Sequence, residues 1–366
     1  MKRNFVALLL LIALTFSCGP KREVESINCL EINDLEFCVD SLEIIELSNS
    51  EEAFIGGITS CHFYNGRIYI LDTYKTYGVK IFFDSGEYIA GTKRGKGPGE
   101  LIYPYSLSFS QDSLVIHEMY RFVYYDLNGT YLKDKALPAM FYASAMAPLT
   151  NGHILAYGSS NVQPNYANDD NWYRYRLYDS DMNTILKKFI ITSRDFAPLE
   201  CDHPISIYDN SILFVSRPEN FIYSIVNGDI KVIYQVEFNE YSIDKDDLKG
   251  GKFLLTGSIQ NGQRFGLLDN LYETGQFIAF SYLRWNGIEF VIYSKKKRLS
   301  TPVSQLFNLL GLPKMEIVGT EKERLICAIN PEELSEMEIS NLIERGLLSD
   351  TITRMSNYIL VLINFC

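Results

Sequence analysis

The chain reads as short apolar runs separated by polar turns, and the runs carry the two-residue alternation of strands rather than the period of helices. Six segments open on a turn and continue into a run rich in Val, Ile, Leu, Tyr and Phe: "NGRIYILD" from Asn65, "QDSLVIHE" from Gln111, "NGHILAYG" from Asn151, "DNSILFVS" from Asp209, "TGQFIAFS" from Thr274 and "KERLICAI" from Lys322. They begin 46, 40, 58, 65 and 48 residues apart. A second run follows each: "VKIFFD" at Val79, "FVYYD" at Phe122, "YRLYD" at Tyr175, "FIYSI" at Phe221, "FVIYS" at Phe290 and "YILVLI" at Tyr358. Turn pairs such as Ser85-Gly86 and Asn128-Gly129 come directly after several of them. A repeat of this length with about four strands per unit predicts propeller blades. The expected fold is all-β, a six-bladed β-propeller with short helical insertions over residues 33–366.

Two stretches break the period. "YSIDKDDLKGGKFL" from Tyr241 and "NPEELSEMEISNLIERGLLSD" from Asn330 read as helices with polar starts, the second with Pro331 at an N1-like position and Glu332 and Glu333 in its first turn. Both are expected to pack over the propeller rim. The run "LEFCVDSLEIIELS" from Leu35 is expected beside the C-terminal strand "NYILVLINF", closing the last blade with both chain ends and leaving no free edge. Residues 18–32 are expected to form a tether.

The stretch "KRGKGPGE" from Lys93 could cradle a phosphate or turn a chain. A phosphate loop needs Gly-Lys followed by Ser or Thr and a helix, whereas Lys96 is followed by Gly97-Pro98-Gly99 and strand-like sequence. It therefore reads as a crossover from the outer strand of one blade to the inner strand of the next, where glycine suits positive φ and close backbone approach. The segment Phe82 to Thr130 resembles the NHL-type propeller repeat, with its glycine-rich G-x-G-P-G-E stretch, its strands and its "fD-x-x-G" turn; Leu101 stands where that family usually has Phe. Nearly the whole mature chain is similar to the six-bladed β-propeller lipoproteins of Bacteroidetes, through the lipobox at Cys18, the single "GKGPGE" loop, the "YETGQFIAFSY" run from Tyr272 with "FVIYSKKK" after it, and the apolar terminal strand. That resemblance implies a fold and brings no assigned reaction.

The address comes from the first residues. Lys2 and Arg3 precede an apolar run from Phe5 to Phe16 that ends in "LTFSC". The run is well short of the roughly 20 residues of a membrane-spanning helix, so residues 1–17 read as a cleaved signal peptide. Cleavage before Cys18 resembles the bacterial lipoprotein signal, which implies acyl chains on Cys18, membrane attachment through them, and an outer-membrane lipoprotein of the cell envelope facing either the periplasm or the outside.

Composition narrows the function. Loss of Lys2 and Arg3 takes the formal charge from −11 to −13, which excludes an electrostatic footprint for nucleic acid. Beyond Cys18 the cysteines are Cys29, Cys38, Cys61, Cys201, Cys327 and Cys366. An oxidising compartment permits disulfides among them, with Cys29 and Cys38 the most local pair, and none has metal-type C-x-x-C spacing.

Strand order within a blade divides the connections. The A–B and C–D turns lie on one face and are short; the B–C and D–A connections lie on the other and are long, variable and aromatic. Binding residues concentrate on such loops. The candidate binding face carries Tyr74, Arg94, Lys96, Tyr103, Arg121, Trp172, Arg217, Arg284 and Trp285, with Tyr77, Tyr105, Tyr120 and Tyr166 nearby. Rings with polar groups suit glycans, peptides or an envelope protein. The bland reading gives each ring to a seam between blades. Catalytic signals are sparser: Asp72 and Glu118 end equivalent B strands and could form an acid/base pair at the channel mouth. His62, His117, His153 and His203 show no metal spacing, and Asp169, Asp170 and Asn171 lack the alternation of a calcium loop. No G-x-S-x-G elbow is present. The expectation is a monomeric binding module without cofactor or metal, for a glycan or for a partner protein in nutrient uptake; the alternative is a propeller hydrolase or lyase using acids at the channel mouth.

Overall fold

The second strand of each repeat is apolar at nearly every position because both of its faces are covered. In Arg67–Asp72, Tyr69 and Leu71 pack against Leu107, Leu114, Ile116 and Tyr125 on one side. Ile68 and Ile70 pack on the other side against Val318, Ile326, Leu360 and Leu362. The alternation survives, but it separates two neighbouring blades rather than core from solvent.

The computed structural model describes residues 24–29, 39–110, 112–118, 120–137, 143–149, 152–158, 172–191, 201–209, 211–226, 229–243 and 246–365. Six antiparallel sheets form six blades, each wound A to D. Blade 1 is Ser60–Tyr64, Arg67–Asp72, Gly78–Phe83 and Tyr88–Gly91. Blade 2 is Pro104–Ser110, Ser113–Glu118, Arg121–Asp126 and Tyr131–Ala136. Blade 3 is Ala145–Pro148, Ile154–Tyr157, Trp172–Tyr178 and Thr184–Ile191. Blade 4 is Ile205–Tyr208, Ser211–Val215, Phe221–Val226 and Asp229–Glu237. Blade 5 is Gly266–Glu273, Phe277–Arg284, Gly287–Ser294 and Leu299–Pro302. Blade 6 takes Glu316–Glu321, Arg324–Ile329 and Ile359–Phe365 from the C-terminal end and Val39–Glu46 from the N-terminal end. The last two pair antiparallel, with Ile44 opposite Val361, so the ring closes as expected. Strands A of neighbouring blades meet around the axis.

Turn chemistry fits this winding. Asn65 and Gly66 both take positive φ, 50° and 69°, in the two-residue turn between strands A and B of blade 1. On blades 2 and 3 an aspartate at the end of strand C organises the next turn. Asp126 accepts from the amides of Asn128 and Thr130 at 2.8 Å, and Asp179 from those of Asp181 and Asn183 at 2.9 and 2.8 Å.

Tyrosines staple the seams. The hydroxyl of Tyr69 on blade 1 donates to the carbonyl of Leu127 on blade 2 at 2.9 Å, and that of Tyr175 on blade 3 to Val215 on blade 4 at 2.5 Å. Tyr272 on blade 5 does the same toward Ile317 on blade 6 at 3.2 Å. A ring fills the apolar gap while its hydroxyl satisfies a buried carbonyl, which is why a chain with 25 tyrosines can pack so many of them inside.

Four findings correct the sequence reading. Part of the expected tether is sheet: Glu25–Asn28 adds a fifth strand, parallel to Asp229–Glu237, on the outside of blade 4, and Ile27 is fully buried there. A helix not foreseen, α2 (Val303–Leu310), joins blades 5 and 6, capped by Gly311 at φ 60°. Its Val303, Leu306 and Phe307 enter the core. The expected insertions are present as α1 (Gly251–Gln260) and α3 (Glu336–Glu344). Pro331, however, opens a separate 3-10 turn, and α3 begins later, in a capping box between Ser335 and Glu338. Finally, Cys29, Cys61, Cys201 and Cys327 are buried free thiols, so the Cys29–Cys38 pairing is not made; Cys38, Cys366, Cys18 and the leader lie outside the described residues. No helix among the described residues is long and apolar enough to cross a membrane.

Candidate binding face

The glycine-rich crossover supplies its own anion. The amide of Gly97 donates to the Glu100 carboxylate at 2.8 Å, and that of Gly95 to the carbonyl of Leu101 at 2.9 Å. Blade 2 clamps the loop from outside: Tyr125 donates to the Gly99 carbonyl at 2.7 Å and Arg121 to the Glu100 carbonyl at 2.6 Å. Gly99 sits at φ 72°, and a Cβ there would stand 2.7 Å from the Tyr131 side chain. Where a phosphate would lie, Glu100 already lies, and the stretch turns a chain.

Asp72 and Glu118 occupy equivalent strand ends, as expected, and both are buried. Asp72 accepts from the amides of Gly56 and Tyr74 at 2.8 Å, Lys75 at 3.0 Å and Thr76 at 3.2 Å, and from the Thr76 hydroxyl at 2.8 Å. Five donors exceed the four lone pairs of a carboxylate, so this group is spent on loop backbone. Glu118 accepts from the amides of Ile102 and Tyr103 and from Arg121. Asp72 fixes the B–C loop of blade 1 and ties it to Gly56 in the segment entering that blade, and Glu118 fixes the loop that enters blade 2.

The arginines divide into two groups. Arg121 is bound to Glu118 at 2.7 Å and Asp134 at 2.6 Å, Arg217 to Asp269 at 2.9 Å, and Arg284 to Glu289 at 2.8 Å. These three, expected as donors to a ligand, have ion-pair partners within the fold. Arg94 and Lys96 are exposed, and the Arg94 guanidinium lies 4.0 Å from the centre of the Tyr77 ring.

Tyr74, Tyr120, Trp285 and Tyr103 are 68, 67, 62 and 53% exposed, and all four lie on B–C or D–A connections, here termed the loop face. Phe54 joins them there, as do the apolar side chains of Leu309 on α2 and of Met337 and Met355 in the blade 6 insertion. Tyr77 meets Tyr103 edge-on with centroids 6.3 Å apart, and Tyr105 packs beside His117 inside blade 2. Trp172 opens strand C of blade 3 rather than lying in the preceding loop. Tyr166, Asp169, Asp170 and Asn171 fall outside the described residues.

The axis holds groups the repeat pattern did not bring together. His203 stacks on Tyr272 with centroids 4.7 Å apart, and His62 packs edge-on against Phe109 at 6.2 Å. Burial pushes both imidazoles down to about 4, His203 adding to the depression of His62, and burial pushes His117 down to about 3. At the mouth on the loop face, Glu316 is raised by burial and then by Glu333. The Tyr74 hydroxyl is raised by burial and then by Asp202, Glu316 and Asp72, and that of Tyr358 is pushed up to about 12 by burial and then by Glu316, Glu333 and Asp72. Glu316 was not foreseen, because only the ring closure sets strand A of blade 6 beside blade 1. Among the described residues no cluster of three or more His, Cys, Asp or Glu side chains is disposed to hold a metal.

Residues 23–364 match the family described as "Domain of unknown function (DUF4934)". No curated protein sequence shows significant similarity to the chain. Among solved structures, a Bacteroides fragilis protein described as exported superposes with a TM-score of 0.72 at 16% identity, over 94% of this chain and 99% of that one. That likeness establishes the six-bladed propeller. A luciferin-regenerating enzyme gives a TM-score of 0.45 at 8% identity over 88% of this chain and 95% of that one. The extracellular domain of a one-component system from B. thetaiotaomicron gives 0.39 at 11% identity over 72% and 29%.

Proposed function

The chain belongs to the DUF4934 family, and from that premise we propose that it is an exported, lipid-anchored propeller that binds a partner through its loop face. The observation that carries the reading is the gathering of Tyr74, Tyr103, Tyr120 and Trp285 on one side of the ring with their rings in solvent. Seam tyrosines account for the buried rings; of these four, Tyr103 meets Tyr77 edge-on, yet all four remain more than half exposed. They belong to blades 1, 2 and 5, with exposed methionines on blade 6, so the surface is broad. Aromatic and methionine side chains are enriched in protein interfaces, which favours a partner protein over a glycan. Acids at the mouth, Asp202, Glu316 and Glu333, favour a partner that presents a cationic group near Tyr74. Cys18 is the attachment point in this reading, the outer membrane the address, and uptake of nutrients across the envelope the setting. The glycine-rich crossover is of the NHL type. A hydrolase or lyase using Asp72 and Glu118 draws no support from carboxylates that hold backbone amides.

The test is a thermal-shift screen of the mature protein against envelope proteins, basic peptides and oligosaccharides, because a ligand that binds the folded state raises Tm by mass action. A shift that disappears in Trp285→Ala and Tyr120→Ala, with unliganded Tm unchanged, supports the loop face. A specific ligand whose shift survives both substitutions and Tyr74→Ala overturns it.

A further inference from the structure

The C–D turn of blade 5 reads Lys295-Lys296-Lys297-Arg298 in a chain of formal charge −11. Lys295 points into the fold, 2.7 Å from the Glu273 carboxylate and bonded to the carbonyl of Thr274. Lys296, Lys297 and Arg298 are exposed.

The N-terminal strand Glu25–Asn28 runs beside this turn. Arg298 lies 3.5 Å from the Glu25 carboxylate, Tyr293 donates to the same carboxylate, and Ser300 donates to the carbonyl of Asn28. The direction of that strand is set by its register: Glu25 stands opposite Tyr234 and Asn28 opposite Glu237, in parallel. Strand D of blade 4 runs from the face of the A–B and C–D turns toward the loop face. Glu25 is therefore the end nearer the turns, and a groove of about 670 Å³ lined by Val24, Glu25, Val232, Tyr293 and Arg298 opens there. Cys18 precedes Glu25 by seven residues, a reach of at most about 25 Å at roughly 3.5 Å per residue.

We infer that the turn Lys296–Arg298 is a contact for the anionic headgroups of a membrane leaflet. Its orientation rests on the lipid attachment at Cys18 proposed above. A lipid anchor attached within that reach of the turn lets these cations come within the Debye length, about 8 Å, of the leaflet, over which they attract a charged surface. Neighbouring turns on the same side carry Asp209 and Asp229 on blade 4 and, on blade 6, Lys322 offset by Glu321 and Glu323, so the net positive contact is centred on blade 5. The ring then stands tilted on that blade, and the loop face with Tyr74, Tyr120 and Trp285 is turned away from the lipid and open to a partner.

The experiment separates the patch from the anchor. Mature protein carrying Cys18→Ser is sedimented at low salt with vesicles of phosphatidylcholine alone or mixed with phosphatidylglycerol. The expected result is preferential binding to the phosphatidylglycerol vesicles that falls with added salt. With each cation near an anionic surface worth roughly fivefold, K296Q/K297Q loses roughly 25-fold in partitioning while its Tm stays unchanged. Equal binding to both vesicles, or a K296Q/K297Q variant that binds as the parent does, overturns the inference. The mass of Cys18 in the native protein decides the anchor by itself, and the vesicle result decides the patch whichever way that mass falls.

Discussion

Glu118 holds Arg121 through a contact of 2.7 Å while its other carboxylate oxygen accepts the amide of Tyr103 at 3.0 Å, so one buried acid joins strand C of blade 2 to the loop arriving from blade 1. Removing the carboxylate leaves a largely buried guanidinium short of a partner and two loop amides unsatisfied. Glu118→Ala is expected to lower stability by about 3 kcal/mol in a denaturant titration. The double variant with Arg121→Met should lose less than the two single losses added together. Strict additivity would mean that the pair is not coupled.

The two glycines of the turn and the crossover should respond differently to a methyl group. Gly66 at φ 69° has nothing within 4 Å of a built Cβ, so Gly66→Ala carries only the left-handed backbone penalty, about 1 kcal/mol. Gly99 adds a collision with Tyr131 at 2.7 Å, so Gly99→Ala should cost at least about 2 kcal/mol and move Tyr131. Equal melting temperatures for the two variants would refute the clamp on the crossover.

Ile27 measures how firmly the N-terminal strand belongs to the propeller. It is fully buried, within a core shared with Leu155, Phe214, Val236 and Phe238. Ile27→Ala should cost about 2 to 4 kcal/mol, whereas a residue in a free tether would cost nothing. Amide exchange of Ser26 to Cys29 provides a second readout, slow if the strand is docked.

Stability should fall on mild acidification. His62 and His203 are held down to about 4 and His117 to about 3, below the 6.5 of an unfolded chain. A lowered folded value means that the unfolded chain takes up protons first as pH drops below 6.5, so stability is lost between about 6.5 and 4. Glu316, raised by burial and Glu333, acts in the opposite direction by favouring the protonated folded state. Urea midpoints at pH 7, 5.5 and 4.5 should decline in order, and less steeply in His203→Gln. A flat profile over this range would show that the imidazoles stay solvated.

Much of this architecture was legible because propeller blades repeat the same local chemistry. Asn65-Gly66 and Asn128-Gly129 announce turns by backbone preference alone, and the runs between them announce strands by composition. The loop face was legible too, since strand parity fixes which connections share a side. The fate of individual side chains there was not. Arg121, Arg217 and Arg284 look like Arg94 in a string of letters, and only their distance from Glu118, Asp269 and Glu289 makes them structural. The strand at Glu25–Asn28 escaped notice because it is short and gains its hydrogen bonds from a partner about 200 residues away.

By itself, then, the sequence determined the blade count, the closure of the ring by Val39–Glu46 beside Ile359–Phe365, and the side on which aromatic loops gather, because these follow from period, parity and turn preference. Only the tertiary structure decided which acids and arginines are consumed in holding loops, which rings remain in solvent, and that Lys296 to Arg298 stand beside the strand leading back to Cys18. Those outcomes depend on contacts between residues far apart in the chain, set by ring closure and register, which no local pattern encodes.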